Sequence, residues 1–233
     1  MRIATRIACR VCAIAIAFAA SSGASAQVPP SAAEINRYEG LFAAAHNGDA
    51  AGIARLIGGG ADVRARDGYG RTPLHVAAYA GRHDAIRALA SGGADPNALE
   101  NDRYDIVTIA AVANDLPTLK AALALGNRPG NITSRYEGTA LIAAAHLGHA
   151  DIVRELIRAG APLDHINNLG WTALIESIVL GDGGPRHVAT LKALVEAGAR
   201  VNLADRSGST PLGLAKGRGY TAMVIILENA GAR

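Results

Sequence analysis

The chain has 233 residues, with 23 basic and 20 acidic side chains, half of its residues hydrophobic and only 4% aromatic. That length holds one or two ordinary domains, and two cysteines rule out a small disulfide-stapled scaffold. Arg2, Arg6 and Arg10 belong to a leader-like segment. Without them the remainder carries 20 basic against 20 acidic residues, a balance that argues against a nucleic-acid surface built on bulk charge.

The first 26 residues read as a secretory signal. The three arginines form a positive n-region, Val11 to Ala20 is an apolar run, and Ala24-Ser25-Ala26 supplies small-residue cleavage positions before Gln27. The apolar run is far shorter than the ~20 residues a membrane-spanning helix needs. Cys9 and Cys12 lie in this segment. The mature chain is therefore expected to lack cysteine and to be held by apolar packing alone. A periplasmic or secreted location is expected, and no later stretch is apolar enough to span a membrane.

Residues 27–36 read as a short linker, with Pro29-Pro30, followed by Ser31-Ala32-Ala33-Glu34, a capping-box pattern expected to open a longer helix. From residue 37 onward the chain repeats itself. Gly48, Gly81, Asn114, Gly148, Gly181 and Gly219 follow one another at steps of 33, 33, 34, 33 and 38, and Gly60, Gly93, Gly126, Gly160, Gly198 and Gly231 keep the same rhythm. A period near 33 marks an array of small supersecondary units. Their expected ranges are 37–69, 70–102, 103–136, 137–169, 170–207 and 208–233.

Each unit carries its own helix signals. In the second, Thr72 can cap a helix whose first position is Pro73, Ala77-Ala78 let neighbouring helices approach, and Gly81 ends the helix in a left-handed turn. Ile152, Val153, Leu156 and Ile157 show the stripe of a second helix. The first and last units read as caps. In the third, Asp105-Ile106-Val107-Thr108 stands where Thr72-Pro73-Leu74-His75 stands in the second, and Pro117 falls near the start of its second helix. The fifth has five extra residues around Gly181–Pro185, and Ser177-Ile178 in place of paired alanines predicts looser or shifted packing there.

Gly70-Arg71-Thr72-Pro73-Leu74-His75, Gly148-His149-Ala150-Asp151-Ile152-Val153 and Gly93-Ala94-Asp95-Pro96-Asn97 carry a resemblance to the ankyrin repeat over residues 37–233. The resemblance implies an all-α solenoid of about six helix-turn-helix units joined by β-turn fingers. It implies structural roles for His75 and His149. It also implies a protein-binding surface built from finger positions and the inner helices.

On that surface the sequence places Tyr69, Tyr104, Tyr136 and Trp171 in the fingers, with Arg71, Arg103 and Arg135 beside them. Tyr79 and His146 fall at the inner-helix position that His46 holds in the first unit. Tyr, Trp and Arg are the residue types that dominate interface energetics. Chemistry is hard to find: no P-loop, dinucleotide fingerprint, zincin helix, EF-hand or nucleophile elbow occurs. His146 and His149 lack a cysteine or carboxylate to complete a metal site, and nothing in the sequence sets His187, Asp182 and Ser177 as a triad.

The expected function is therefore a non-catalytic, monomeric protein-interaction module with no cofactor or metal and no nucleic-acid partner. The resemblance suggests a periplasmic enzyme such as a catalase among possible partners. A small-ligand or glycan binder using the same aromatic face, and an exported effector binding host proteins, are the rival readings.

Overall fold

A computed structural model describes residues 27–233. The export signal read at residues 1–26 lies outside the described residues. The described chain holds thirteen helices: α1 (Ala32–Ile35), α2 (Gly40–Asn47), α3 (Ala50–Gly58), α4 (Pro73–Tyr79), α5 (His83–Ser91), α6 (Ile106–Ala113), α7 (Leu116–Ala124), α8 (Ala140–Leu147), α9 (Ala150–Arg158), α10 (Ala173–Val179), α11 (Pro185–Glu196), α12 (Pro211–Gly217) and α13 (Thr221–Asn229). After α1 they form six pairs. The first helix of each pair packs on the first helix of the next, from α2 through α12, and the second helices stack likewise from α3 through α13. The result is a two-layer, all-α solenoid.

Local chemistry sets the helix ends. The Thr72, Thr139, Thr172 and Thr210 hydroxyls accept the backbone N–H three residues on, starting α4, α8, α10 and α12. Asp105 does the same for α6, accepting from the Thr108 N–H at 2.8 Å. Such caps are each worth about 1 kcal/mol. Asn114 stands in for glycine after α6 with φ 55°, since its short polar side chain tolerates the left-handed turn. Pro117 sits in the first turn of α7, where a missing N–H leaves no helix bond broken.

The core runs the length of the array. Ala77, Ala110, Ala111, Ala144 and Ala145 are almost wholly buried between first helices, and Ile152, Val153 and Leu156 are sealed beneath α9. His75 joins fingers to helix. Its Nε2 faces the carbonyls of Ala98 and Tyr104 at 3.0 and 3.1 Å, and its Nδ1 accepts the Thr72 N–H at 3.1 Å. Burial pushes its imidazole down to about 4, so it is neutral at physiological pH. His149 bonds the Ala111 carbonyl across units at 2.9 Å.

Three sequence expectations change. The capping box at Ser31 and Glu34 is present, but it opens a helix of four residues and not a long one, because the chain breaks between Asn36 and Glu39 before α2 begins. The segment before it is not a free linker. Gln27 Nε2 donates to the Thr108 carbonyl at 3.0 Å and Arg71 Nη1 donates to the Val28 carbonyl at 3.2 Å, tying the segment to the second and third units. The third change concerns Ser177 and Ile178, which are fully buried and not loosely packed. The Ser177 hydroxyl bonds the Leu174 carbonyl of its own helix at 2.8 Å, so it fits where alanine would.

The inserted turn before α11 is equally well held. Asp182 Oδ1 accepts the Gly184 N–H at 2.9 Å and faces His187 Nδ1 at 2.8 Å. His187 Nε2 bonds the His146 carbonyl at 2.9 Å, and Tyr220 donates its hydroxyl to the Gly181 carbonyl at 2.9 Å. Both His187 nitrogens and the Ser177 hydroxyl are thus engaged with structural partners, which leaves no catalytic arrangement among the three.

Candidate interaction face

Four of the five fingers are tight turns, each closed by one side chain. Asp67 accepts the N–H groups of Tyr69 and Arg71, Glu100 those of Asp102 and Tyr104, Asn167 those of Leu169 and Trp171, and Asp205 those of Ser207 and Ser209. Neighbouring fingers are laddered through their backbones: Asn101 N–H to Tyr69 O, Ser134 N–H to Arg103 O and Asn168 N–H to Tyr136 O, at 3.0, 3.1 and 2.9 Å. The second through fifth fingers are therefore tied into one edge.

A left-handed residue sits at the middle of every finger turn: Gly70, Arg103, Glu137, Gly170 and Gly208, with φ between 53° and 85°. It divides the finger side chains into two sets. The residue before it points outward at the tip, so Tyr69 and Tyr136 are 44% and 47% exposed and Leu169 is 41% exposed. The residue after it turns inward, so Arg71 and Tyr104 are buried, at 0% and 4%, and Trp171 is half-buried.

This corrects the sequence reading at two positions. Arg71 and Tyr104 are core residues and cannot be surface anchors, because the left-handed step reverses the chain between tip and base. Of the other predicted positions, Arg103 and Arg135 are exposed, and Arg135 is paired with Asp102 at 3.1 Å. His146 is exposed and Tyr79 half-buried on the first-helix side, the Tyr79 hydroxyl being buried without a hydrogen-bond partner.

Arg71 does structural work. It pairs with Glu34 and, at 2.7 Å, with Asp67, and its guanidinium lies 4.6 Å from the centre of the Tyr69 ring. Tyr38 donates its hydroxyl to Asp67 at 2.7 Å. Burial by itself would raise the Asp67 carboxyl, but the hydrogen bonds from Tyr38 and Arg71 hold it below its ordinary value. This cluster clamps α1 and the segment before it onto the second finger.

The fourth unit differs at its base. Gly138 occupies the inward position filled by Arg71, Tyr104 and Trp171 in its neighbours, and the missing side chain leaves a pocket of 190 Å³. Tyr104, Tyr136, Ala143, His146, Asn167 and Glu176 are among its lining residues. Glu176 is unexpected. It lies on α10 at the position that Ala43, Val76, Ile109, Ala143 and Leu214 hold in the other five units.

Its side chain is 5% exposed. Oε1 accepts from Asn167 Nδ2 at 2.9 Å, whereas Oε2 is buried with no hydrogen-bond partner. His146 Nδ1 lies 3.7 Å from it. Burial pushes the carboxyl up to about 7, and burial together with His187 pushes the His146 imidazole down, so the two are not a fixed ion pair. Aligning the six units by register reveals this residue as a carboxylate in an otherwise apolar column. Motif searching, which looks for spacings within one unit, passes over it.

Among the described residues no group of three or more histidine, cysteine or acidic side chains is placed to hold a metal ion. No helix among them is long and apolar enough to cross a membrane. A larger hollow, of 720 Å³, opens beside α2 and α3 at the end of the array; glycine and alanine line most of it, with Asn47, Asp49, Arg55 and Leu56, and it holds no aromatic side chain.

Comparison with known proteins agrees with this architecture. The family profile described as ankyrin repeats (3 copies) matches residues 15–100 and 107–205. The chain is 34% identical over 191 residues to the ankyrin repeat protein YahD of Escherichia coli (strain K12), covering 81% of this chain and 94% of that protein. The crystal structure of an ankyrin repeat domain from Acinetobacter baumannii AYE superposes with a TM-score of 0.77 at 41% identity, over 83% of this chain and 98% of that one. The ankyrin repeat protein EF0377 gives 0.75 at 31% identity, over 82% and 98%. With its period, its laddered fingers and these relatives in agreement, the chain belongs to the ankyrin-repeat family.

Proposed function

We propose that this chain is an exported, non-catalytic module that binds one folded protein on its finger and first-helix face, centred on the fourth and fifth units. Ankyrin repeats are generally protein–protein interaction modules and typically non-catalytic scaffolds. The observation that carries the reading is the row of exposed apolar side chains in the fingers: Tyr69, Ile132, Tyr136, Ile166 and Leu169. Four of the five, Ile132, Tyr136, Ile166 and Leu169, fall on the adjoining fourth and fifth fingers, and large apolar side chains gathered in the open are a mark of interaction sites. Tyr136 and Trp171 serve as anchors, with Arg103, Arg135 and His146 around them and Tyr69 extending the contact. Toward the first units the segment from Gln27 to Ser31 is already docked on the second and third repeats, which favours the later units as the open part of the face.

Affinity capture from a periplasmic extract, with the wild-type chain beside a Tyr136→Ala/Trp171→Ala variant of matching circular dichroism, tests the reading. A protein held by the wild type and lost at least tenfold by the variant supports it, since anchor truncations typically cost about 2 kcal/mol or more. Assaying the captured fraction for catalase activity tests one candidate partner directly. Equal retention by both chains would move the interface to the second helices or to the Gly181–Pro185 turn. Export rests on the pattern of residues 1–26, and a mass measurement on the periplasmic chain checks it, with Gln27 the expected first residue.

A further inference from the structure

We propose that the pocket beneath the fourth finger takes an arginine side chain presented by the protein partner, with the Glu176 carboxylate receiving its guanidinium. This rests on the interaction-face reading above and makes it specific.

Three independent observations converge. The first is the orphaned oxygen. Glu176 Oε2 is buried without a hydrogen bond, while its twin oxygen is oriented by Asn167. The Asn167 amide is itself fixed, because its oxygen accepts the N–H groups of Leu169 and Trp171. A buried acceptor left unmade is costly, so a donor from outside has a site prepared for it.

The second is the space. Gly138 does not need to be glycine for its backbone, since its φ lies outside the left-handed range, and an added Cβ would meet Ile142 only at an ordinary 3.6 Å. What the glycine provides is room at a position where the adjoining units place Tyr104 and Trp171. The volume of 190 Å³ exceeds the ~150 Å³ that admits a benzene ring. It falls short of the ~300–1,000 Å³ of small-molecule sites, so it suits one side chain and not a cofactor.

The third is the lining. Tyr104 and Tyr136 flank the space, and none of the lining residues is lysine or arginine. Arg135, the nearby finger cation, is turned to Asp102. A guanidinium is planar, permanently charged and weakly hydrated, and it stacks on aromatic faces while donating to a carboxylate. His146, half exposed over Oε2, is the side chain whose rotamer change opens the carboxylate to the incoming group.

The test is an NMR titration of the 15N-labelled chain with N-acetyl-arginine amide, beside N-acetyl-citrulline amide, which has the same shape without the charge. The expected result is saturable movement of the Asn167 side-chain amide and of the Ser134 and Thr139 backbone amides, with a dissociation constant near the millimolar range for a single isolated side chain. Citrulline amide should bind at least tenfold more weakly. Glu176→Gln removes the charge, and Gly138→Tyr fills the space while leaving Glu176 in place, so each should abolish the response with the fold intact by circular dichroism.

No saturable response, an equal response to citrulline amide, or unchanged binding by either variant would overturn the proposal. Those failures are separate from failure of the interaction-face reading. If Glu176→Gln leaves partner capture unchanged while Tyr136→Ala/Trp171→Ala abolishes it, the face stands and the arginine pocket falls.

Discussion

Replacing Glu176 by glutamine should stabilise the protein at alkaline pH. In the unfolded chain this carboxyl titrates near its ordinary value of 4.5, whereas burial raises it to about 7 in the folded state. Between those values the native state holds a proton that the unfolded state releases. Stability is therefore greatest below about 4.5, falls as pH rises through about 7, and levels off above that. A shift of this size, for a side chain only 5% exposed, corresponds to roughly 3 kcal/mol between the two ends of the window.

Glutamine keeps the shape and an acceptor for Asn167 but cannot ionise. The variant should match wild type near pH 4.5 and exceed it by roughly 3 kcal/mol at pH 8. His146 on α8, 3.7 Å from Oε2, and His187 on α11 are the same in both proteins, so the difference between them reports the Glu176 substitution. Urea denaturation followed by fluorescence of Trp171, the only tryptophan, at several pH values gives that difference. Parallel stability curves for the two proteins, or a variant that is weaker at pH 8, would refute the argument. Because the same carboxylate is proposed to meet a partner's arginine, a gain in stability joined to a loss of binding is the expected signature.

Arg71→Ala should cost about 3 kcal/mol, since it removes one partner from a buried ion pair. The damage should be local, appearing as faster amide exchange from Ser31 to Tyr38, because Glu34 and the Val28 carbonyl lose their tether. Global loss of helical signal without that local change would contradict the clamp. Arg103→Gly should raise stability by about 0.5–1 kcal/mol, because a left-handed φ of 67° costs a residue with a side chain ~1–2 kcal/mol and glycine's extra unfolded-state freedom returns part of it. A urea midpoint shifted downward would show that the arginine makes a stabilising contact instead.

The helices and their order were legible because the signals that make them act over three or four residues. Thr72 caps its own helix, Asn114 and Gly148 turn the chain at its end, and the alanines that permit close stacking recur in register. A local rule repeated six times is stronger than any one instance, so the array could be read before any contact was known. The exposed finger-tip tyrosines, Tyr69 and Tyr136, came from the same pattern.

The inward turn of Arg71 and Tyr104 came only with the structure. Tip and base positions lie two residues apart, and which one meets solvent depends on a left-handed residue between them that is glycine in some units and arginine or glutamate in others. Glu176 was hidden for a different reason. Its burial depends on Asn167 from the finger and His146 from the preceding unit, and its pocket exists because a third residue, Gly138, lacks a side chain. The period, the caps and the family likeness belong to the sequence by itself, since each is a local rule copied along the chain. Which carboxylate is orphaned, and beside what space, was decided by the stacking of one unit on the next, where residues about 33 apart first meet.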